Sequence, residues 1–152
     1  MQVDFHSGVG DKLGHACRLL RKAVRQGARV QVRGEAEELD RLDQALWAFD
    51  PHEFVPHLRW RSADAPPAAL HRTPVWLVAS TAAWPEALAR PGVLVNLGPH
   101  APAAGELPAE ITRVIEIVGQ DPADVEAARQ RWRHYLQRGL APTHHTFTRE
   151  DA

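Results

Sequence analysis

Hydrophobic positions along the chain alternate between short continuous runs and stripes at helical spacing. Val3–His6 reads as a short first strand, followed by a glycine-rich turn, Ser7-Gly8-Val9-Gly10. From Asp11 the apolar residues Leu13, Ala16, Cys17, Leu20 and Val24 recur as one face of a helix. Gly27 stands where such a helix commonly closes. Ala28–Arg33 alternates and is partly β-branched, so it predicts a second strand. A second helix spans about Ala36–Phe49 on the stripe Leu39, Leu42, Ala45, Leu46 and Phe49, and Asp50-Pro51 ends it. The stretch 52–69 reads as irregular, with Pro66-Pro67 in an exposed loop. Val75–Ala79 and Gly92–Leu97 are apolar on both faces, as central strands of a covered sheet are. A short helix is expected between them over Trp84–Ala89, and a proline-bearing loop after them over Gly98–Pro108. Ile111–Val118 predicts the last strand. Asp121, Pro122 and Asp124 then mark the start of a final helix that ends before Gly139.

Strand and helix thus alternate through most of the chain. That order implies parallel strands joined by crossover helices: an α/β, three-layer, Rossmann-like sandwich with a mostly parallel sheet. The length of 152 residues suits one domain, expected over 1–140, with 141–152 as a polar C-terminal tail.

Composition narrows the function classes. There are 18 basic and 19 acidic residues, a net charge of -1, which argues against a free-standing nucleic-acid binder. Contact with DNA is therefore expected to be indirect or weak. The single cysteine, Cys17, allows no intrachain disulfide. The start of the sequence has no basic region followed by an apolar run, and no segment is long and apolar enough to cross a bilayer. A cytoplasmic protein without membrane contact is the expectation.

Several motifs invite chemical readings. Gly8, Gly10 and Gly14 approach a dinucleotide-binding fingerprint, and Glu35 follows strand two, where a ribose-binding acid would stand. A nucleotide-dependent enzyme using the Gly8–Gly14 turn is the alternative reading. Leu13 occupies the place of the third glycine, however, and Asp11 puts a negative charge where phosphates would sit. A tight strand-to-helix turn explains the glycines more simply. The nine histidines lack the thiolate company and spacing of a structural zinc site, so no metal is expected and they read as surface residues. Cys17 falls on an apolar stripe and reads as a small core residue. No nucleophile elbow or phosphate-binding loop is present. No catalytic residue and no cofactor is assigned. Arg18, Arg21, Lys22 and Arg25 form a basic stripe on helix one; a solvated face is the preferred reading, and contact with nucleic acid or an acidic partner the alternative.

Two features demand more. Trp47 points about 130° from the apolar stripe of its helix, so a loop or a partner must cover it. Phe54-Val55-Pro56-His57 lies just downstream, and the two aromatics together would make an apolar patch of the kind that marks interfaces. On the final helix, Arg129 and Arg133 edge a stripe of Val125, Ala128, Trp132 and Leu136. Paired guanidinium groups beside an apolar strip suit a ligand with a carboxylate and a bulky apolar group.

The run Arg41-Leu42-Asp43-Gln44-Ala45-Leu46-Trp47, followed by Phe54-Val55-Pro56-His57, resembles the chi subunit family of bacterial DNA polymerase III. The likeness extends along nearly the whole chain, to Ala128-Arg129-x-Arg131-Trp132 and the aromatic Phe147 near the end. The resemblance implies a Rossmann-like fold and a non-catalytic accessory subunit of the replisome. It implies two partners: the psi subunit, which connects chi to the clamp loader, and the acidic C-terminal tail of single-stranded DNA-binding protein. By the same resemblance, psi binding falls on Trp47, Phe54, Pro56 and His57, and tail binding on Val118, Arg129, Trp132 and Arg133. The family carries a tyrosine-like aromatic and a lysine-like base at the last two positions. Val125 stands where a base can occur.

Overall fold

The computed structural model describes residues 1–61, 64–82, 91–102, 107 and 110–147. The elements run β1 (Gln2–Val9), α1 (Lys12–Arg25), β2 (Val30–Gly34), α2 (Ala36–Ala48), β3 (His57–Trp60), a 3-10 turn (Ala68–Leu70), β4 (Val75–Ala79), β5 (Val93–Asn96), β6 (Arg113–Gly119), α3 (Pro122–Gln137) and β7 (Thr143–Thr146). The strands form one seven-stranded sheet in the order β3-β4-β2-β5-β6-β1-β7, with every pairing parallel. This is the three-layer α/β sandwich that the alternation of elements predicts.

The two faces of the sheet have separate cores. α1 buries Ala16, Cys17 and Leu20, and α2 buries Leu39, Leu42 and Leu46, against Val30, Val32, Val75, Leu77, Val95, Ile115 and Ile117. α3 covers the other face, where Ala128 and Tyr135 meet Val3, Phe5, Leu94, Val114 and Val118. Each fully buried aliphatic side chain contributes roughly 1.5–3 kcal/mol. Period-2 alternation along β6 divides its side chains between the two cores: Ile115 and Ile117 to one, Val114 and Val118 to the other. A smaller cluster of Trp76 and Val78 with Leu58, Trp60 and Leu70 closes the β3 end of the sheet.

The helix starts follow the sequence signals. Asp11 caps α1 by accepting from the Gly14 N–H at 3.0 Å. Asp121 caps α3 through the Ala123 N–H at 2.9 Å, with Pro122 in the first turn. Asp124 reaches back to accept from the Gly119 N–H at 2.6 Å, which ties α3 to the end of β6.

Four expectations change. The strand β3 lies in the stretch read as irregular; it pairs only at the sheet edge, and its residues lack an apolar alternation strong enough to announce it. β1 continues through Ser7-Gly8-Val9, so Gly8 sits at the irregular end of a strand and only Gly10 remains in the connection to α1. Residues 141–152 are not wholly a tail: Thr143–Thr146 add β7 beside β1 in the register Phe5↔His144 and His6↔His145. All four of its side chains are exposed, so no hydrophobic pattern marks it. Leu136, placed on the apolar stripe of α3, is 51% exposed. The helix expected over 84–89 lies outside the described residues, as does much of the 98–108 loop.

Candidate functional site

The carboxyl ends of β1 and β6 lie side by side, yet the helices that follow them leave on opposite faces. Such a switch point opens a crevice outside the strand ends. Here the crevice is a cleft of about 600 Å³ on the α3 face. Its floor is Phe5, Val118 and Ala128, one wall is Val125, Trp132 and the arginines of α3, and the far side is Ser7, Gly8 and His144. All four residues assigned to tail binding (Val118, Arg129, Trp132 and Arg133) line this one cleft.

Helical spacing produces the arrangement. Ala128, Arg131 and Tyr135 turn inward and are buried, so Arg129 and Arg133 project outward and Trp132 lies half-buried between them. Trp132 packs edge-on against Phe5 at 5.1 Å between ring centroids, which holds the indole as a wall. Arg129 faces only an exposed Glu126 carboxylate at 3.3 Å, an i,i+3 pair worth a few tenths of a kcal/mol. Arg133 has no acidic partner among the described residues. Among the described residues, no aspartate or glutamate lines the cleft. An apolar floor rimmed by two weakly engaged guanidinium groups can take an apolar side chain with a carboxylate beside it.

Behind the cleft lies a buried polar network that the sequence reading missed. Glu116 accepts from Arg131 Nε at 2.8 Å, from the Tyr135 hydroxyl at 2.7 Å and from Asn96 Nδ2 at 3.0 and 3.1 Å. Burial pushes the Glu116 carboxyl up, and Arg131, Tyr135 and Asn96 pull it back. Burial first, and then the neighbouring Glu116, push the Tyr135 phenol far up, so it keeps its proton and donates. The one sequence signal was Glu116 in the middle of the apolar run Val114–Val118: a charge there requires a buried counter-charge, and the inward face of α3 supplies Arg131.

The second candidate surface lies at the opposite end of the sheet. Trp47 is 64% exposed and Phe54 50% exposed, and their rings stack at 4.8 Å between centroids. The downstream loop therefore does not bury Trp47; it brings a second aromatic beside it. Pro56 is exposed next to them. His57 is buried, in contrast to the expectation of surface histidines: its ring bonds the Val55 carbonyl at 2.7 Å and the Asp43 carboxylate at 2.9 Å, and it meets Trp47 edge-on at 5.3 Å. It supports the patch from beneath.

His6 and His15 also depart from the surface expectation. Both are buried, with His6 Nδ1 and His15 Nε2 2.9 Å apart, and Phe147 packs on both rings at 4.8 and 4.6 Å. Burial, reinforced by His15 and His145, lowers His6 to about 4, and burial lowers His15 as well. Cys17 is core, as expected, and burial raises its thiol to about 11. On α1, Arg21 pairs with Asp50 and Arg25 with Glu53, so much of the basic stripe is neutralised at the surface.

The glycine turn has a structural explanation. Gly8 has φ +70°, and a Cβ there would stand 2.8 Å from the Phe147 carbonyl oxygen. Gly14 lies against the Asp11 carboxylate, which already takes the N–H that a phosphate would need. No group of side chains suited to a metal ion occurs among the described residues. Among the same residues, no helix is long and apolar enough to cross a membrane.

Comparison with known proteins gives one family. The sequence profile described as "DNA polymerase III chi subunit, HolC" matches residues 1–143. The DNA polymerase III subunit chi of Pseudomonas aeruginosa is 34% identical, an alignment covering 97% of this chain and 98% of that protein. The subunit chi of Haemophilus influenzae is 30% identical over 82% of this chain and 79% of that protein. By these matches the chain belongs to the DNA polymerase III chi subunit family, the accessory subunits of a DNA-replicating polymerase.

Proposed function

We propose that the protein is a replication adaptor with two docking surfaces: the cleft between α3 and β1 for the acidic C-terminal tail of single-stranded DNA-binding protein, and the Trp47–Phe54 patch for the psi subunit of the clamp-loader assembly. The observation that carries the reading is the convergence of Val118, Arg129, Trp132 and Arg133, drawn from two separate elements, on one apolar cleft. Arg129 and Arg133 grip the terminal carboxylate of the tail in charge-assisted hydrogen bonds. Val118, Phe5 and Trp132 receive its apolar end.

The sheet order supports simultaneous use of both surfaces. β3, next to the Trp47 patch, and β7, next to the cleft, are the two edge strands. Six interstrand spacings separate them by about 29 Å. A partner on either surface leaves the other open. A disordered tail binds weakly at each site, and many tails on coated single-stranded DNA raise the effective affinity.

Titration calorimetry with an acidic peptide ending in Phe tests the cleft. Binding by the wild-type protein that is lost in Arg129→Ala, with the fold intact, is the expected result. Equal binding by both proteins removes the assignment.

A further inference from the structure

β7 adds to the cleft a residue from a part of the chain that the tail-binding assignment does not include. The register Phe5↔His144 puts the His144 side chain on the α3 face of the sheet, where it lines the cleft across from the arginines. Its ring meets Trp132 edge-on at 6.4 Å between centroids. Ser7 Oγ bonds its Nε2. Its Nδ1 has no partner among the described residues, although the ring is exposed. A side chain held on two sides, with its third edge open to the cleft mouth, can bond a ligand there.

Resting on the tail-binding reading, we infer that His144 is a third binding residue of the cleft, taking a carboxylate of the acidic stretch that precedes the apolar end of the tail. The division of labour follows from position. Arg129 and Arg133 stand along α3 and hold the terminal carboxylate, while the chain that precedes it leaves past the β7 lip. In the tautomer in which the Ser7 hydroxyl donates to Nε2, the ring proton is on Nδ1 and is donated to the acidic side chain. Ser7 is the positioning residue, and β7 serves as a wall of the binding site.

The test is calorimetry with two peptides that share a Phe end: one acidic, and one with its acidic side chains replaced by their amides. His144→Ala weakens the acidic peptide by roughly three- to tenfold, the range of one ordinary net hydrogen bond at an exposed site. It weakens the amide peptide by less than about twofold. His144→Asn, which keeps a donor near Nδ1, stays close to wild type, whereas His144→Phe, which keeps the ring against Trp132, is as weak as His144→Ala. Unchanged affinity of His144→Ala or His144→Phe for the acidic peptide, beside a normal loss in Arg129→Ala, overturns the role of His144 and leaves the cleft assignment standing. An equal loss for both peptides also overturns it, because the side chain would then act through packing alone. No binding of either peptide by the wild-type protein defeats the tail-binding reading itself, and this inference with it.

Discussion

Arg131 Nε donates to Glu116 Oε1 across 2.8 Å, with the two side chains 1% and 0% exposed. The pair joins the inward face of α3 to the middle of β6, directly behind the cleft. Two turns of α3 are thereby fixed in rotation, which keeps Arg129 and Arg133 on the rim. Arg131→Ala leaves a buried carboxylate without its counter-charge and costs about 3–5 kcal/mol. Chemical denaturation measures this directly. Tyr135→Phe, which deletes one donor to the same carboxylate, costs less, about 1–3 kcal/mol. A cost for Arg131→Ala within about 0.5 kcal/mol, the range of an ordinary surface substitution, would show that the pair does not anchor α3.

Trp47 and Phe54 offer the opposite signature. Both side chains are at least half exposed, so Trp47→Ala and Phe54→Ala leave stability within about 1 kcal/mol of wild type. If they anchor the psi subunit, each lowers affinity for it by 2 kcal/mol or more, about 30-fold. Copurification with psi followed by calorimetry provides the comparison. A normal yield of complex from both variants removes the patch as the psi surface.

The buried histidines give the stability of the fold a pH dependence. His6 faces His15, His145, Asp4 and Phe147, with Arg113 beyond Asp4 and Arg18 beside His15. Its folded value of about 4 lies below the ordinary 6.5. Between those values the unfolded chain takes up a proton that the folded chain refuses, so stability rises with pH across that window and is flat above it. One such proton gives a slope of up to about 1.4 kcal/mol per pH unit. Glu38 and Glu116, which burial shifts upward, contribute with the opposite sign. The comparison with His6→Phe isolates the histidine: the variant's stability profile is flatter between pH 4 and 6.5. Parallel profiles for the two proteins would mean that His6 titrates as a solvated residue.

Gly8→Ala tests the junction of β1 with Phe147, just after β7. It forces an alanine to φ +70° and its Cβ to within 2.8 Å of the Phe147 carbonyl oxygen. The conformation alone costs about 1–2 kcal/mol, and the clash adds to it. Hydrogen exchange locates the loss: Phe147 N–H, bonded to the Ser7 carbonyl at 2.9 Å, loses protection before the β6 amides do. Equal protection in variant and wild type would place the chain end elsewhere.

The sequence made some of these features legible and hid others for identifiable reasons. Strands buried on both faces, such as Val75–Ala79 and Arg113–Gly119, show as apolar runs, and the capping residues Asp11 and Asp121 show as helix starts. Trp47 off its stripe was a reliable sign of exposure because helical geometry leaves a side chain in that position no core to enter. β7 was invisible because an edge strand with four exposed side chains is held by backbone hydrogen bonds, which leave no hydrophobic trace. For the same reason the sequence around His144 looks like a polar tail. The burial of His6, His15 and His57 depends on partners distant in sequence, Phe147 and Asp43 among them. Arg129 and Arg133 are visible as a pair four residues apart, but their relation to Val118 depends on α3 folding back over the face of β6.

The most direct test of the adaptor account is the affinity of the protein for an acidic, Phe-ended peptide, measured by calorimetry beside Arg129→Ala and Arg133→Ala. The account predicts binding to the wild-type protein, a loss of about tenfold or more in each variant, and unchanged thermal unfolding, because both arginines are exposed. Affinity that is the same in all three proteins would contradict it.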